Sequence, residues 1–350
     1  MNTTSQEHDA LLLVSFGGPE GPDDVMPFLE NVLRGRNVPR ERMLEVSEHY
    51  QHFGGVSPIN EQNRQLLDAI RKDLKANGVD LPVYWGNRNW HPFLTDEMTK
   101  MRDDGIKNAL AFFTSTYSCY SGCRQYRENI AQAQEQIGEN APEVHKLRMF
   151  YNHPLFIEAS VAQVMNAFNQ IPEELKAETH FLFSAHSIPN SMADNCKYAT
   201  QLLETCRLVM EQVGEFNWDL VYQSRSGPPT QPWLEPDVCD FLDTLGGKGT
   251  KQVVIMPVGF VSDHMEVLFD LDIEAKEKCE ELGIGMQRAS SVGTHPKFVE
   301  MIRHLILERI SGTEKLAIGN YPPNHDVCPV DCCLRATRPN TAAATPTRPS

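Results

Sequence analysis

No stretch of this chain stays apolar long enough to cross a bilayer. Its apolar runs, such as Leu11–Val14 and Ala109–Phe113, are far shorter than the roughly 20 residues a spanning helix needs. Basic charge is scarce: 32 Lys and Arg stand against 47 Asp and Glu, a net charge of −15. A nucleic-acid binder would carry a basic face, so no nucleic-acid partner is expected, and the acidic balance suits cations instead. The opening MNTTSQEHDA lacks the basic and apolar segments of a signal peptide. A cytoplasmic location is therefore expected, with peripheral membrane contact left open. Two glycine-rich stretches, FGGPEGP (Phe16–Pro22) and FGGVSP (Phe53–Pro58), match neither G-x-G-x-x-G nor the Walker pattern. That disfavours nucleotide phosphates and leaves tight turns in which backbone approaches a ligand closely.

What is present is a long α/β pattern. With 350 residues, the chain can form two ordinary domains, or one large α/β domain with a long insertion. Strands are expected near residues 11–15, 83–85, 109–114, 180–184, 220–223, 252–258 and 286–289. Helical patterns run between them, for example over 61–75, 124–136, 157–169, 196–213, 265–282 and 296–308. Such alternation predicts parallel sheets covered on both faces, here two small doubly wound ones. LLLVSFGGP (Leu11–Pro19) and FLFSAHSIP (Phe181–Pro189) echo one another as a strand, a serine and a proline turn. The segments SFGGP, GNRNW, STYSCYSGC, SAHSIP, QSRSGPP and GFVSDHME all follow apolar runs. Ligands of open parallel sheets bind beyond the carboxyl ends of the strands, so these six are expected to line one cleft.

Three groups of residues carry chemistry. His186 ends a buried strand before a proline turn, and neutral imidazole is the natural proton acceptor near pH 7; a structural histidine at a turn is the alternative. Glu266, Asp270 and Glu274 recur every four residues on a helix expected to begin near Ser262. Like charges so spaced repel, and helix-dipole effects do not reach Asp270 and Glu274. The set reads either as a solvated acidic face or as a carboxylate track for a hydrated divalent cation. Nine cysteines include CPVDCC (Cys328–Cys333), whose three thiols are one short of a four-cysteine site. Cys196, Cys206, Cys239 and Cys279 read as small buried apolar residues. Phe16, Tyr50, Phe53, Trp85, Trp90, Tyr117 and Tyr120 crowd the glycine-rich and strand-end segments, where they suit a flat apolar ligand or ordinary core packing.

Taken together, LLLVSFGGPEGPDDVMPFLENVLRGR, EHYQHFGGVSPINEQN, YWGNRNW, FSAHSIP, YQSRSGPPTQPWLEPDV and PVGFVSDHMEVLFDLDIE resemble ferrochelatase, in the family's order, over about residues 11–308. The branch most resembled is the actinobacterial one, which metallates coproporphyrin III. A protoporphyrin IX ferrochelatase is the alternative substrate reading. A cobalt or sirohydrochlorin chelatase of related fold fits fewer segments. A haem- or porphyrin-binding carrier or iron sensor is the alternative of another class. The resemblance implies two Rossmann-like domains of the class II chelatase fold with a porphyrin cleft between them. The corresponding boundaries are 8–150, joined by the helix 296–310, then 151–295, a cysteine-bearing extension 311–334 and a disordered tail 335–350.

The substrates implied are porphyrin and ferrous iron. A monomer is expected, with a downstream haem-pathway enzyme as a further partner. His186 matches the family's active-site histidine and would take pyrrole protons or bind the incoming metal. Glu266 matches a carboxylate expected on the other side of the macrocycle, with Asp263 and His264 as polar neighbours and Asp270 and Glu274 as the metal path. Phe16 and Tyr50 would contact the porphyrin. Arg34, Arg36, Arg88, Arg124 and Arg225 are candidates for its propionates. Some relatives carry tyrosine at the position of Phe16, where it ligates the product's metal; Tyr50 is the candidate substitute in this chain. The resemblance also implies a [2Fe–2S] cluster on Cys328, Cys332, Cys333 and one internal cysteine. Cys123 is favoured over Cys119 for that place, and zinc on four thiolates is the structural alternative.

Overall fold

The structure is a computed structural model, and it describes residues 8–35, 38–228 and 230–335. Two four-stranded sheets form its frame. The first holds β1 (Ala10–Ser15), β2 (Val83–Asn87), β3 (Asn108–Phe113) and β4 (Glu143–Lys146), in the order β2-β1-β3-β4. The second holds β5 (Thr179–His186), β6 (Trp218–Gln223), β7 (Gln252–Met256) and β8 (Gly285–Arg288), in the order β6-β5-β7-β8. Every pairing is parallel. The two orders are the same, and the echoing segments β1 and β5 occupy the same place in each.

The apolar runs form the inner strands because both faces of these sheets are covered. All six residues of β1 and all five of β7 are buried. β4 was not among the expected strands. Its sequence, EVHK, lies at a sheet edge with only Lys146 buried, so hydrophobic patterning does not mark it.

The helix Pro296–Ile310 returns to the first half. Phe298 packs edge-on against Phe112 and Phe150, and Arg303 pairs with Asp73 at 2.8 Å on the helix Ile59–Ala76. Residues 311–335 continue without helix or strand. The expected disordered tail lies, apart from Arg335, outside the described residues, as does Arg36. No helix among the described residues is long and apolar enough to cross a membrane.

The glycine-rich turns pack against each other. A Cβ on Gly18 would stand 2.7 Å from Ser57 Cβ, and one on Gly55 would stand 2.4 Å from Pro22 Cα. Their small size therefore serves turn-on-turn packing.

Candidate functional site

Strand ends from the two halves meet. Beyond β3, the Tyr117 hydroxyl donates to the Val258 carbonyl after β7 at 3.0 Å. Gln62 of the first half accepts from the Asp263 amide at 2.8 Å. His49, on the helix Arg40–His52, stacks on Phe269 with ring centroids 3.8 Å apart.

In the first half, β1 and β2 end in a buried polar knot. Ser15 Oγ bonds to Asn87 Oδ1 and accepts from Asn63 Nδ2 and Trp85 Nε1, both at 3.0 Å. Asn87 in turn donates to Asn60 Oδ1 at 3.1 Å. This knot fixes the turn that carries Phe16. The Phe16 ring is 36 % exposed, lies edge-on to Phe28, and stands 5.7 Å from the Arg88 guanidinium. It is an apolar wall presented at a strand end.

In the second half, His186 is the last residue of β5. Its Nδ1 hydrogen-bonds to the Ser187 carbonyl. A carbonyl only accepts, so Nδ1 is the donor of this bond, and in the neutral ring the lone pair then sits on Nε2. Nε2 lies 3.7 Å from Glu266 Oε2. Tyr198, which sequence reasoning missed, donates to the His186 carbonyl at 2.9 Å and pins the strand end.

This geometry corrects one expectation. A flat ring sandwiched between two groups needs a van der Waals contact on each face, about 7 Å in all. His186 and Glu266 stand too close for that, so no flat ring fits between them in this arrangement.

The acidic row rides on an unusual helix. The expected helical segment 265–282 is present, but it begins at Met265, not near Ser262, and Leu268–Ala275 is π-helical. The looser i→i+5 winding brings residues four apart closer to one line along the axis. Asp270 accepts from Ser224 Oγ and from Gln223 Nε2, the latter at 3.3 Å. Ser224 takes a left-handed backbone (φ 58°) to place that hydroxyl. Burial, joined by the charges of Glu266 and Glu274, pushes the Asp270 carboxyl up to about 7 against those two hydrogen bonds. Glu274 is also raised, by burial first and then by Asp237 and Glu277.

Asp263 and His264 hold the structure around this row. Asp263 pairs with Arg288 at 2.9 Å. His264 caps the helix through Nδ1, which accepts from the Val267 amide at 3.3 Å. Burial lowers the His264 imidazole against the opposing charge of Glu266. Neither residue lies on the line of carboxylates.

Tyr50 packs on Phe28, with centroids 5.8 Å apart. Burial, then the charge of Glu266, raises its phenol above the ordinary tyrosine range. Arg124 is placed elsewhere. It pairs with Glu128 at 3.0 Å and donates to the carbonyls of Val330 and Cys332 at 2.8 and 3.1 Å. Its guanidinium secures the cysteine loop and does not face the cleft. Arg225 lies beyond β6 and donates to the Gln231 carbonyl at 3.1 Å; Arg34 donates to Asn31 at 2.6 Å. A cavity of about 460 Å³ bordered by Arg71, Leu74 and Val83 lies at the amino-terminal end of β2, away from these residues.

The cysteine-bearing extension folds back beside the loop after β3. Cys123 is buried in a second π-helical turn, Tyr120–Arg124. The influence of each thiol on the other holds Cys328 below the usual thiol range and, with burial, Cys123 above it. Cys332 and Cys333 sulfurs lie 3.5 Å apart. Cys119 instead accepts from the Gly122 amide at 3.1 Å and caps the turn. Cys206 and Cys279 are buried as expected, whereas Cys196 and Cys239 are partly exposed.

The ferrochelatase family model matches residues 8–310. A ferrochelatase from Rhodopirellula baltica is 63% identical over 333 residues, covering 95% of each chain. A coproporphyrin III ferrochelatase from Streptomyces griseus is 51% identical over 361 residues, covering 96% of each. Among solved structures, SirB from Bacillus subtilis with Fe3+ aligns with a TM-score of 0.54 at 13% identity, over 87% of this chain and 97% of its own. That likeness concerns the fold.

Proposed function

The chain belongs to the ferrochelatase family, and on that premise we propose that it inserts ferrous iron into coproporphyrin III in haem biosynthesis. The observation that carries this reading is the bare Nε2 of His186, held 3.7 Å from Glu266 at the junction of the two halves. Support for the porphyrin comes from the coproporphyrin III ferrochelatases of Streptomyces griseus and Nocardia farcinica, 51% and 47% identical. We propose the domains expected from the sequence, 8–150 with the helix 296–310, and 151–295, with the cleft between them. A monomeric, cytoplasmic enzyme is proposed.

Insertion exchanges two pyrrole protons for one ferrous ion, without change of oxidation state. His186 takes a proton at Nε2, and Glu266 beside it relays the proton outward. Both work on one face, so the opposite wall falls to Phe16 and its aromatic neighbours. A cleft complementary to a bent macrocycle exposes the nitrogen lone pairs. Asp270 and Glu274 supply oxygen donors that pass the cation inward without trapping it.

Incubating the protein anaerobically with ferrous iron and either coproporphyrin III or protoporphyrin IX tests this directly. Conversion of coproporphyrin III should be clearly faster. Preference for protoporphyrin would reject the substrate assignment, and binding without metallation of either would point to a carrier.

Asp270 gives the reaction a pH signature. Ionised Asp270 accepts a cation, so the KM for iron should fall as pH rises through about 7. Asp270→Asn should lose that dependence. The stability sign runs the other way. Between the ordinary 3.8 and about 7, the unfolded chain releases this proton and the folded chain keeps it. The residue's contribution to stability therefore falls across that window. Asp270→Asn should gain stability relative to the parent over the same range in thermal unfolding scans.

We further propose that Cys123, Cys328, Cys332 and Cys333 hold a [2Fe–2S] cluster. The fit rests on a soft four-thiol set gathered by the Arg124 tether, with Cys119 occupied as a cap. Such a cluster would supply a one-electron couple and a cross-link between the extension and the first half.

A further inference from the structure

We infer that Gln223 is a further donor on the cation's route, its amide oxygen handing the ferrous ion from Asp270 to the His186 and Glu266 pair. The inference rests on the iron insertion proposed above and adds a residue to it. Gln223 ends β6 and is the register partner of His186 at the end of β5. Register partners project to the same face of a sheet. Both side chains reach the segment that carries the acidic row: His186 approaches the Glu266 carboxylate, and Gln223 bonds to the Glu266 carbonyl.

The side-chain amide of Gln223 has a fixed sense. Its Nε2 donates to the Glu266 carbonyl and to Asp270 Oδ2, both at 3.3 Å. A carbonyl only accepts, so the nitrogen faces Glu266 and the oxygen takes the other branch. Gln223 is 1% exposed, and its Oε1 is buried without a hydrogen-bond donor among the described residues. Native proteins seldom leave a buried acceptor unpaired, because it has given up water and gained nothing. Beside two carboxylates, the ligand such an oxygen suits is a hydrated divalent cation, which takes carboxylate and amide oxygens together.

The route needs such an intermediate. His186 Nε2 and Glu266 Oε2 stand 3.7 Å apart, but Asp270 does not converge with them to within 4.8 Å. A cation leaving Asp270 has a gap to cross, and Gln223, bonded to both Asp270 and the Glu266 backbone, spans it. A neutral oxygen also holds a cation less firmly than a carboxylate, which suits a donor that must release it. The competing role is a strut: the same two Nε2 bonds could serve only to hold Asp270 in place. Substitution separates the two roles.

The test is manganese(II) binding to the full chain without porphyrin, followed by loss of the free-ion electron paramagnetic resonance signal. Manganese favours oxygen donors over the thiols of the extension. Asp270→Asn identifies the equivalent bound by the acidic row. Gln223→Met, close in shape but without the oxygen, should weaken that equivalent by about tenfold or more. It should also raise the KM for ferrous iron and leave porphyrin binding unchanged. Gln223→Glu keeps an oxygen and loses the N–H donor, so it should bind manganese at least as tightly as the parent. Equal weakening by both variants would make Gln223 a strut, and unchanged binding by Gln223→Met would leave its oxygen to an ordinary water. Either result, or no equivalent sensitive to Asp270→Asn, would overturn the inference. Should Gln223→Met fail to fold, weaker binding by Gln223→Glu than by the parent decides against it. A parent that binds manganese yet metallates no porphyrin would reject the iron-insertion reading and leave this donor in place.

Discussion

Replacing His186 with alanine is expected to slow iron insertion by about 10²–10⁴-fold while leaving porphyrin binding in place. The argument rests on which contacts the side chain makes. Its Nδ1 satisfies a neighbouring carbonyl, and its Nε2 lies 3.7 Å from Glu266. The bond that pins the strand end runs from Tyr198 to the His186 backbone and survives the substitution. Alanine therefore removes the proton acceptor without disturbing β5 or the walls around Phe16. Glu266 remains, but alone it lacks the adjacent base that receives the pyrrole proton. Two measurements separate the roles: porphyrin fluorescence quenching for binding, and loss of the free-base spectrum for insertion. Turnover near that of the parent would remove His186 from proton transfer. Loss of binding and turnover together would make it a wall residue instead.

The difference between what the sequence revealed and what it hid follows from how each feature is encoded. β1, β5 and β7 are written as apolar runs because parallel strands are buried on both faces. β4 is short, polar and at an edge, so its pairing with β3 is decided by topology alone. The row Glu266, Asp270, Glu274 is plain from spacing. Its π-helical winding is not, because the same residues satisfy an α-helical pattern. His186 and Glu266 were found as residues but set on opposite sides of the ligand. Eighty residues separate them in the chain, and only the fold brings them within 3.7 Å. Arg124 looked like an anion partner because it follows a strand-end segment; besides Glu128, four residues on, it holds carbonyls 206 and 208 residues away. Tyr198 carried no local signal; it acts through its bond to the His186 carbonyl.

Removing Glu308 should cost about 3–5 kcal/mol of folding free energy, far more than any surface ion pair. Glu308 lies on the helix Pro296–Ile310 and grips Arg148 through two bonds, at 2.7 and 2.8 Å. Their side chains are 0% and 1% exposed, so water screens neither. Arg148 also donates to the Leu316 carbonyl at 2.8 Å, which ties the start of the extension to the same point. Glu308→Ala leaves a guanidinium buried without its counter-charge, and that uncompensated charge supplies most of the loss. Glu308→Gln keeps the shape but not the charge and should fall between alanine and the parent. The double change Arg148→Met with Glu308→Leu removes both charges and fills the space, so it should be more stable than Glu308→Ala despite altering two residues. Urea unfolding followed by fluorescence decides the order. If Glu308→Ala lost under about 1 kcal/mol, the pair would behave as a screened surface contact, in conflict with its burial. If the double variant were the least stable, the favourable term would be the pair's attraction, not relief from an unpaired charge.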